Sequence, residues 1–391
     1  MNYNHPERNG STINIRLMCA IVFLVFSFCY LYFFQADILA VAQHVYSGGQ
    51  THYNRLVGAV LITLLLQLLQ LLVYAFLRLR KRSHALTYLP SMLILGMLTD
   101  VSSDVDLHNS MGAWWWAFPL MIVIWLPVAL LCRALQDVEP DVEPTGLLSR
   151  AMWMNMLTMA LMIIGVAFVS NTNAVFHYRM RMESCLLKND FAGALEEGRR
   201  SLESDANLQM LRMYALSRRG ELGERLFTYP VVAKSEAMLP VSGESRFLMY
   251  PVDSLYKFLG AKPSGGMTTS RYLELMQRRD SVVNKSVADY QLCGLLIDKK
   301  LDAFVKMLVG YYSTQDTLKT DLLPKHYREA MTLYMHLRSK PIAVYYNAVM
   351  DEDWKNLQEL EAQYADPSER KGKVEEQYRG TYWYYYYYEY E

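Results

Sequence analysis

The stretch Leu56–Phe76 constrains the fold of this chain more than any other part of its sequence. It contains no charged residue, and its strongly polar side chains are Thr63, Gln67 and Gln70. Because an α-helix rises about 1.5 Å per residue, a stretch of this length crosses a hydrocarbon core of about 30 Å. Basic residues follow at once: Arg78, Arg80, Lys81 and Arg82. Such clusters stay on the cytoplasmic face of a membrane, so we predict that this helix ends inside the cell.

The average composition conceals two different halves. The chain carries 39 basic and 39 acidic residues, and 52% of its residues are hydrophobic. These averages are typical of a soluble protein, but the apolar residues are concentrated before position 171 and the charged residues after it. No region is strongly basic and no nucleic-acid-binding motif is present, so we predict that nucleic acid is not a partner.

The cysteines do not form a disulfide framework. Cys19, Cys29 and Cys132 fall within predicted membrane spans, which leaves Cys185 and Cys293 in polar sequence. We interpret that pair as two small buried thiols, because free cysteine is among the most buried residue types. The alternative is a disulfide between them, which requires that both lie outside the cytoplasm.

Five apolar segments are predicted to enter or cross the membrane after a polar leader at residues 1–14. They comprise residues 15–34, 56–77, 85–99, 113–132 and 151–170. An alternative for the first is a cleaved signal peptide, since Ala40-Val41-Ala42 has the form of a cleavage site. That site lies beyond the apolar core, so we favour an uncleaved anchor. Segment 85–99 is short and contains Pro90, so a re-entrant hairpin is the alternative to a crossing.

The number of crossings decides the side of the membrane on which residues 171–391 lie. With the N-terminus inside, five crossings place them outside the cytoplasm, in the periplasm of a bacterium. If 85–99 does not cross, they are cytoplasmic. The loop Asp100–Ser110 contains acidic residues and no basic ones, which favours the first topology, whereas Arg179, Arg181 and Lys188 favour the second. We predict the external location.

Residues 171–391 are predicted to form helical hairpins, because short amphipathic runs alternate with polar turns. Lys188–Leu195 resembles the turn and second-helix start of a tetratricopeptide hairpin, and Gly220–Gly223 repeats such a turn about 31 residues later. Two further turns are predicted at Lys299–Phe304 and Glu352–Leu357. The full tetratricopeptide signature is missing, so the alternative is α-helical packing without strict repeats. The predicted divisions are a first lobe at 171–228, an irregular connector at 229–269 and a second lobe at 270–391.

The chain ends in an unusual aromatic run, Tyr382–Tyr390. As a helix it is aromatic on all sides, so it must be covered by protein or lie near lipid headgroups. We predict a terminal helix that closes the helical stack. The alternatives are docking on a membrane surface and a platform for a partner or a sugar.

Together, the five apolar segments, the sequence GELGERLF at 220–227 and the aromatic end resemble a family of uncharacterised membrane proteins from Bacteroidota. That family is known only as a domain of unknown function. The resemblance implies a bacterial inner-membrane location and a tetratricopeptide-like C-terminal region. It implies no activity and no site residues.

Few residues suggest chemistry. Asp104, Asp106 and His108 lie on one face of an extended loop and have the side chains of a divalent-metal site, although such loops are usually only solvated. Asp37 resembles the acidic residue in the first external loop of membrane glycosyltransferases that use lipid-linked sugars. His44 and His52 share its loop, but no nucleophile accompanies them. Asp37, Asp104 and Asp106 are therefore the catalytic candidates, and we predict no cofactor and no bound metal.

The sequence thus predicts an all-α protein with about five transmembrane helices and a soluble helical-hairpin domain. The function that we favour is a membrane-anchored scaffold in the bacterial inner membrane. Its partners are the lipid bilayer and a protein bound by the C-terminal helical region, because helical stacks offer extended surfaces and need no catalytic residues. The alternative is a small membrane glycosyltransferase-like enzyme that uses a lipid-linked substrate.

Overall fold

The computed structural model describes residues 6–107, 112–136, 149–279, 284–314, 317–318 and 323–389. The chain divides into two compact units, Met1–Asn173 and Ala174–Glu391. The all-α prediction is confirmed. Within the described ranges the β-structure is one pair of short antiparallel strands, β1 (Ser313–Thr314) and β2 (Thr317–Leu318).

The first unit contains six α-helices in its described part. They are α1 (Pro6–Cys29), α2 (Ala36–Tyr46), α3 (Arg55–Leu77), α4 (Leu89–Thr99), α5 (Trp114–Leu135) and α6 (Arg150–Val169). A π-helical turn, Tyr30–Phe34, extends α1, and a 3-10 helix, Lys81–Tyr88, precedes α4. Helix α1 already includes Pro6, which lies inside the segment predicted as a leader.

Four helical stretches in the described residues are long and apolar enough to cross a membrane. These are Ile13–Phe34, Arg55–Leu77, Trp114–Leu135 and Arg150–Val169. They match four of the five predicted segments. The remaining segment, 85–99, is divided between the 3-10 helix and α4, and α4 has only 11 residues. Pro90 lies in the first turn of α4, where its missing N–H is tolerated, so the change of helix type falls at the proline.

The segment from Arg80 to Asp100 runs alongside the whole of α5. At one end the Arg80 N–H donates to Oε1 of Gln136, just after α5, over 3.2 Å. At the other end Nε1 of Trp114, the first residue of α5, donates to Oδ2 of Asp100 over 2.8 Å. These two bonds fix the segment antiparallel to α5 over the full length of that helix.

The same segment also follows α6. The Ala85 N–H donates to Oδ1 of Asn155 near the start of α6 over 2.7 Å. Past the other end, the Asn171 N–H donates to the carbonyl of Thr99 over 3.0 Å. The segment and α6 therefore run in the same direction, and their C-terminal ends meet.

The second unit contains twelve α-helices within its described ranges. They are α7 (Ala174–Leu187), α8 (Phe191–Glu196), α9 (Ala206–Arg219), α10 (Leu222–Arg225), α11 (Val252–Leu259), α12 (Thr269–Arg279), α13 (Lys285–Ile297), α14 (Leu301–Tyr312), α15 (Lys325–Leu337), α16 (Ala348–Gln363), α17 (Pro367–Tyr378) and α18 (Tyr382–Tyr388). Short 3-10 helices lie at Leu226–Thr228 and Ser235–Met238.

Three helix ends in this unit share one turn geometry. Asn189, Gly220 and Lys299 have φ values of 58°, 70° and 58° after α7, α9 and α13. In each turn the next N–H reaches a carbonyl five residues back, over 2.9 Å at Asp190, 2.9 Å at Glu221 and 2.8 Å at the residue after Lys299. This is the Schellman arrangement, which satisfies the last carbonyls of a helix. Three of the four predicted turns are therefore confirmed.

The fourth predicted turn, Glu352–Leu357, is wrong. These residues lie inside α16, whose true start is capped by the Asn347 side chain. Its Oδ1 accepts the N–H groups of Val349 and Met350. Trp354 and Leu357 are buried on one face, and their spacing of three residues is that of an amphipathic helix as much as of a turn.

The predicted connector at 229–269 does not separate two lobes. Tyr229, Met238 and Leu239 are buried and belong to the same hydrophobic core as residues from both predicted lobes. The connector is attached by Glu183 of α7, whose Oε2 accepts the N–H groups of Met249 and Tyr250 over 2.5 and 3.0 Å. Residues 174–389 therefore form one packed unit in their described part.

Candidate functional site

The aromatic end of the chain is held by a buried carboxylate. Oε2 of Glu329 on α15 accepts the Tyr382 N–H over 2.7 Å and Nδ1–H of His326 over 2.8 Å. The Phe227 N–H donates to Nε2 of the same histidine over 3.2 Å. Because Nε2 accepts a bond, His326 carries its proton on Nδ1. The network joins the 3-10 helix Leu226–Thr228, α15 and α18.

Helix α18 packs as a terminal cap. Tyr382, Trp383, Tyr384 and Tyr385 are all buried. The Nζ of Lys299 donates to the carbonyls of Tyr386 and Glu389 over 2.8 and 2.9 Å, at the end of α18 where a cation is favourable. The prediction that this run is covered by protein is confirmed for these buried residues.

An apolar surface lies directly before α16 and extends into the first turn of that helix. We call the exposed side chains of Ile342, Val344, Tyr346 and Val349 the 342–349 surface. Their exposed fractions are 62%, 76%, 75% and 67%. Single exposed apolar residues are common, but a group along one short segment is typical of an interaction site. This is the most concentrated exposed apolar group in the described part of the second unit.

The backbone beneath this surface is fixed but incompletely bonded. Tyr345 points inward and is only 5% exposed, so side chains 344 to 346 alternate as they do in an extended chain. The Ile342 N–H donates to the Tyr334 hydroxyl over 2.9 Å. Within the described residues, the backbones of Val344 and Tyr346 make no hydrogen bond. An extended segment with free N–H and C=O groups can pair with another strand.

An ion pair holds the start of this segment in place. Arg338, at the end of α15, donates to both carboxylate oxygens of Asp302, over 3.0 and 2.7 Å. Such a two-point contact fixes orientation as well as charge. The segment between Arg338 and the Asn347 cap is therefore attached at both ends, while its outer face is open.

The predicted catalytic candidates lie in different settings. Asp37 is half-buried in the first turn of α2, where a carboxylate suits a helix N-terminus. Asp104 and Asp106 are exposed in the loop after α4. His108, the third member of the predicted metal site, lies outside the described residues. Where side chains are described, no three His, Cys, Asp or Glu residues are grouped so as to hold a metal ion.

A buried polar cluster surrounds Cys293. The Tyr327 hydroxyl donates to Oδ1 of Asp289 over 3.0 Å and lies 3.5 Å from the Cys293 sulfur. Burial raises the pKa of the Cys293 thiol and that of the Asp289 carboxyl. A thiol kept protonated is a poor nucleophile, so this cluster is structural. Cys185 and Cys293 do not form a disulfide bond in this structure, which contradicts the disulfide alternative.

Comparison with known proteins gives one match. A family model described as a family of unknown function (DUF6057) matches residues 271–389. The matched range contains the 342–349 surface, Glu329 and the aromatic end. No curated protein and no solved structure matches the chain. The 342–349 surface was not predicted from the sequence, although the break Ser339-Lys340-Pro341 before alternating apolar residues indicates an exposed segment there.

Proposed function

We propose that this chain is a membrane-anchored helical scaffold that docks a protein partner on the 342–349 surface. The observation that carries the proposal is the combination of three exposed apolar side chains, Ile342, Val344 and Tyr346, with unbonded backbone at two of them. The occupant is an extended segment of another protein with apolar side chains at alternate positions. Main-chain bonds supply affinity in this mode, and side-chain contacts supply specificity.

The proposal includes a fifth crossing by residues 80–100. The 3-10 helix has 8 residues and α4 has 11, which together rise about 32 Å. That length matches the hydrocarbon core. The bonds of Arg80 to Gln136 and of Trp114 to Asp100 also support a crossing by residues 80–100. They lie at opposite ends of α5, which is long enough to cross a membrane.

Five crossings set the side of the second unit. Arg78–Arg82 mark the cytoplasmic end of the first unit. Asn171 is bonded to Thr99 at the other end, and α7 begins at Ala174, only a few residues later. The second unit then lies outside the cytoplasm, which we propose to be the periplasmic side of a bacterial inner membrane. The repeated Schellman turns support a stack of tetratricopeptide-like hairpins there.

The experiment is site-specific photo-crosslinking in intact cells. A benzophenone amino acid at Val344 is expected to give a discrete protein adduct, which mass spectrometry identifies. The matched control is Leu202, an apolar residue that is 55% exposed elsewhere in the unit. It is expected to give no such adduct. The adduct at 344 should disappear when Tyr346→Asp is introduced, because a carboxylate cannot enter an apolar contact without a large desolvation cost.

Two outcomes would contradict the proposal. Equal labelling at 344 and 202 would mean that the 342–349 surface has no preferred partner. Adducts to lipid alone at 344 would mean that the surface lies on the bilayer and does not dock a protein.

A further inference from the structure

The first unit contains a cationic side chain that faces a cavity. The cavity has a volume of about 350 Å³ and lies between α1, α3 and the 3-10 helix, with Arg16, Gln67, Tyr74, His84 and Tyr88 in its wall. The guanidinium carbon of Arg16 lies 4.3 Å from the centre of the Tyr74 ring. This contact orients the guanidinium group but leaves its N–H donors available.

Arg16 has no anionic partner within the described part of the chain. No hydrogen bond or ion pair of its guanidinium group is present there, and no carboxylate lines the cavity. The neighbouring amides bond to each other instead. Nε2 of Gln67 donates to Gln70, and Nε2 of Gln70 donates to Thr87, each over 2.9 Å. The bond from Gln70 links α3 to the 3-10 helix.

An unpaired cation at the edge of a hydrocarbon core is costly, so such residues are usually paired or functional. Among the described residues no carboxylate lines this cavity, which leaves Arg16 open to an anion from outside the chain. Tyr74 lies one helical turn before Arg78, the first residue of the basic cluster. Arg16 therefore lies near the level of the lipid headgroups of that leaflet.

We propose that this cavity binds the phosphate group of an anionic phospholipid from the leaflet at the basic end. Arg16 binds the phosphate, because a planar guanidinium group can donate two parallel hydrogen bonds to it. The cavity is lined on its open side by the apolar side chains of Ile13, Leu17 and Leu71, which are each about half exposed. These side chains provide a surface for the acyl chain of the same lipid.

The opposite end of the bundle contains a natural comparison. The guanidinium carbon of Arg55 lies 4.7 Å from the centre of the Tyr32 ring. Unlike Arg16, Arg55 donates hydrogen bonds to the carbonyls of Tyr32 and Phe33. It has the same aromatic contact, but two of its five N–H donors already bond to carbonyls, so it should bind phosphate more weakly than Arg16.

The experiment measures lipid binding by the full chain in nanodiscs of phosphatidylglycerol and phosphatidylcholine. Native mass spectrometry counts the phosphatidylglycerol retained after release. We expect Arg16→Ala to weaken that binding about tenfold, the size expected for a lost charge-assisted contact. Arg55→Ala is expected to leave it unchanged. Arg16→Lys keeps the charge but cannot donate two parallel hydrogen bonds, so we expect a smaller loss of phosphatidylglycerol binding than for Arg16→Ala. If Arg16→Ala does not fold, the binding measured for Arg16→Lys tests the proposal.

A second arm separates lipid from free phosphate. Inorganic phosphate is added to the chain in nanodiscs of phosphatidylcholine together with trace phosphatidylglycerol. Retention of phosphatidylglycerol is expected to persist. Its displacement by inorganic phosphate would mean a soluble-anion site and would overturn the lipid assignment. Equal retention by the wild type, Arg16→Ala and Arg16→Lys would overturn the site itself.

Discussion

The N–H of Tyr382 and the carboxylate of Glu329 are joined by a buried hydrogen bond of 2.7 Å, across 53 residues of sequence. The same carboxylate oxygen holds His326, and Nε1 of Trp383 donates to the Glu329 carbonyl over 2.7 Å. Glu329 is thus the residue through which α18 is attached to α15. Since α18 covers one side of the core, the carboxylate links the end of the chain to the stability of the whole second unit.

Replacing Glu329 should therefore destabilise the protein strongly. Glu329→Ala leaves the buried donors of Tyr382 and His326 unpaired, and we expect a loss of about 2–4 kcal/mol in the free energy of unfolding. Glu329→Gln keeps one acceptor oxygen and should cost less. Thermal unfolding of the full chain in detergent, followed by near-UV circular dichroism, measures both. If Ala and Gln variants melted with the wild type, the attachment of α18 would not depend on this residue.

Gly223 should resist enlargement. A Cβ at this position would lie 2.7 Å from the Tyr327 ring, and that ring is fully buried with its hydroxyl bonded to Asp289. We expect Gly223→Ala to cost about 1–3 kcal/mol through overpacking. The matched control is Gly372→Ala inside α17, where nothing lies within 4 Å and alanine is the better helix former. The control should be neutral or stabilising in urea unfolding, whereas equal effects of the two substitutions would contradict the packing described.

Asp289 should make stability fall as pH rises. Burial raises the pKa of this carboxyl, partly offset by the Tyr327 hydroxyl bond. The folded chain therefore keeps a proton that the unfolded chain releases near its ordinary pKa of about 3.9. The stabilisation is complete below that value and is lost as pH rises through the folded-state pKa.

The corresponding measurement compares Asp289→Asn with the wild type. The melting temperature of the variant minus that of the wild type should increase from pH 4 towards neutral pH and be flat below. If the difference instead grew as the pH fell, the pKa of Asp289 in the folded chain would be lowered and not raised. Taking the difference removes the contributions of all other titrating groups, which the two chains share.

The acidic candidates should be dispensable if the chain is a scaffold. Asp37→Asn and the double variant Asp104→Asn/Asp106→Asn are expected to complement a deletion strain at matched protein levels. Val344→Asp and Tyr346→Asp are expected to fail, because they alter the 342–349 surface. The opposite pattern, with Asp37→Asn failing and the surface variants complementing, would favour the enzyme that uses a lipid-linked substrate.

The sequence predicts local features of this fold well. The turns at Asn189, Gly220 and Lys299 are readable because polar or glycine residues interrupt amphipathic runs, and a left-handed helix end needs such residues. The turn at 352–357 fails because charged residues before Trp354 fit a helix equally well. Four helices that are long and apolar enough to cross a membrane can be predicted from their apolar length. The division of residues 80–100 into a 3-10 helix and α4 cannot, because Pro90 interrupts the apolar pattern.

The sequence signals a break before the 342–349 surface, but it does not show which of the following apolar side chains face outward. Ile342, Val344 and Tyr346 are ordinary core residues by composition, and only the packing of Tyr345 against the core turns them outward. The bond between Glu329 and Tyr382 has no local signature, because it joins residues far apart in sequence. Such contacts depend on the tertiary fold and not on any periodic pattern.

The most direct test of the account is the side of the membrane on which the second unit lies. Alkaline phosphatase and green fluorescent protein are fused in turn after Arg82 and after Asn173, and their activities are compared in intact bacterial cells. We predict fluorescence without phosphatase activity after Arg82, and phosphatase activity without fluorescence after Asn173. Fluorescence after both positions would mean that residues 80–100 do not cross, and it would contradict an extracytoplasmic docking unit.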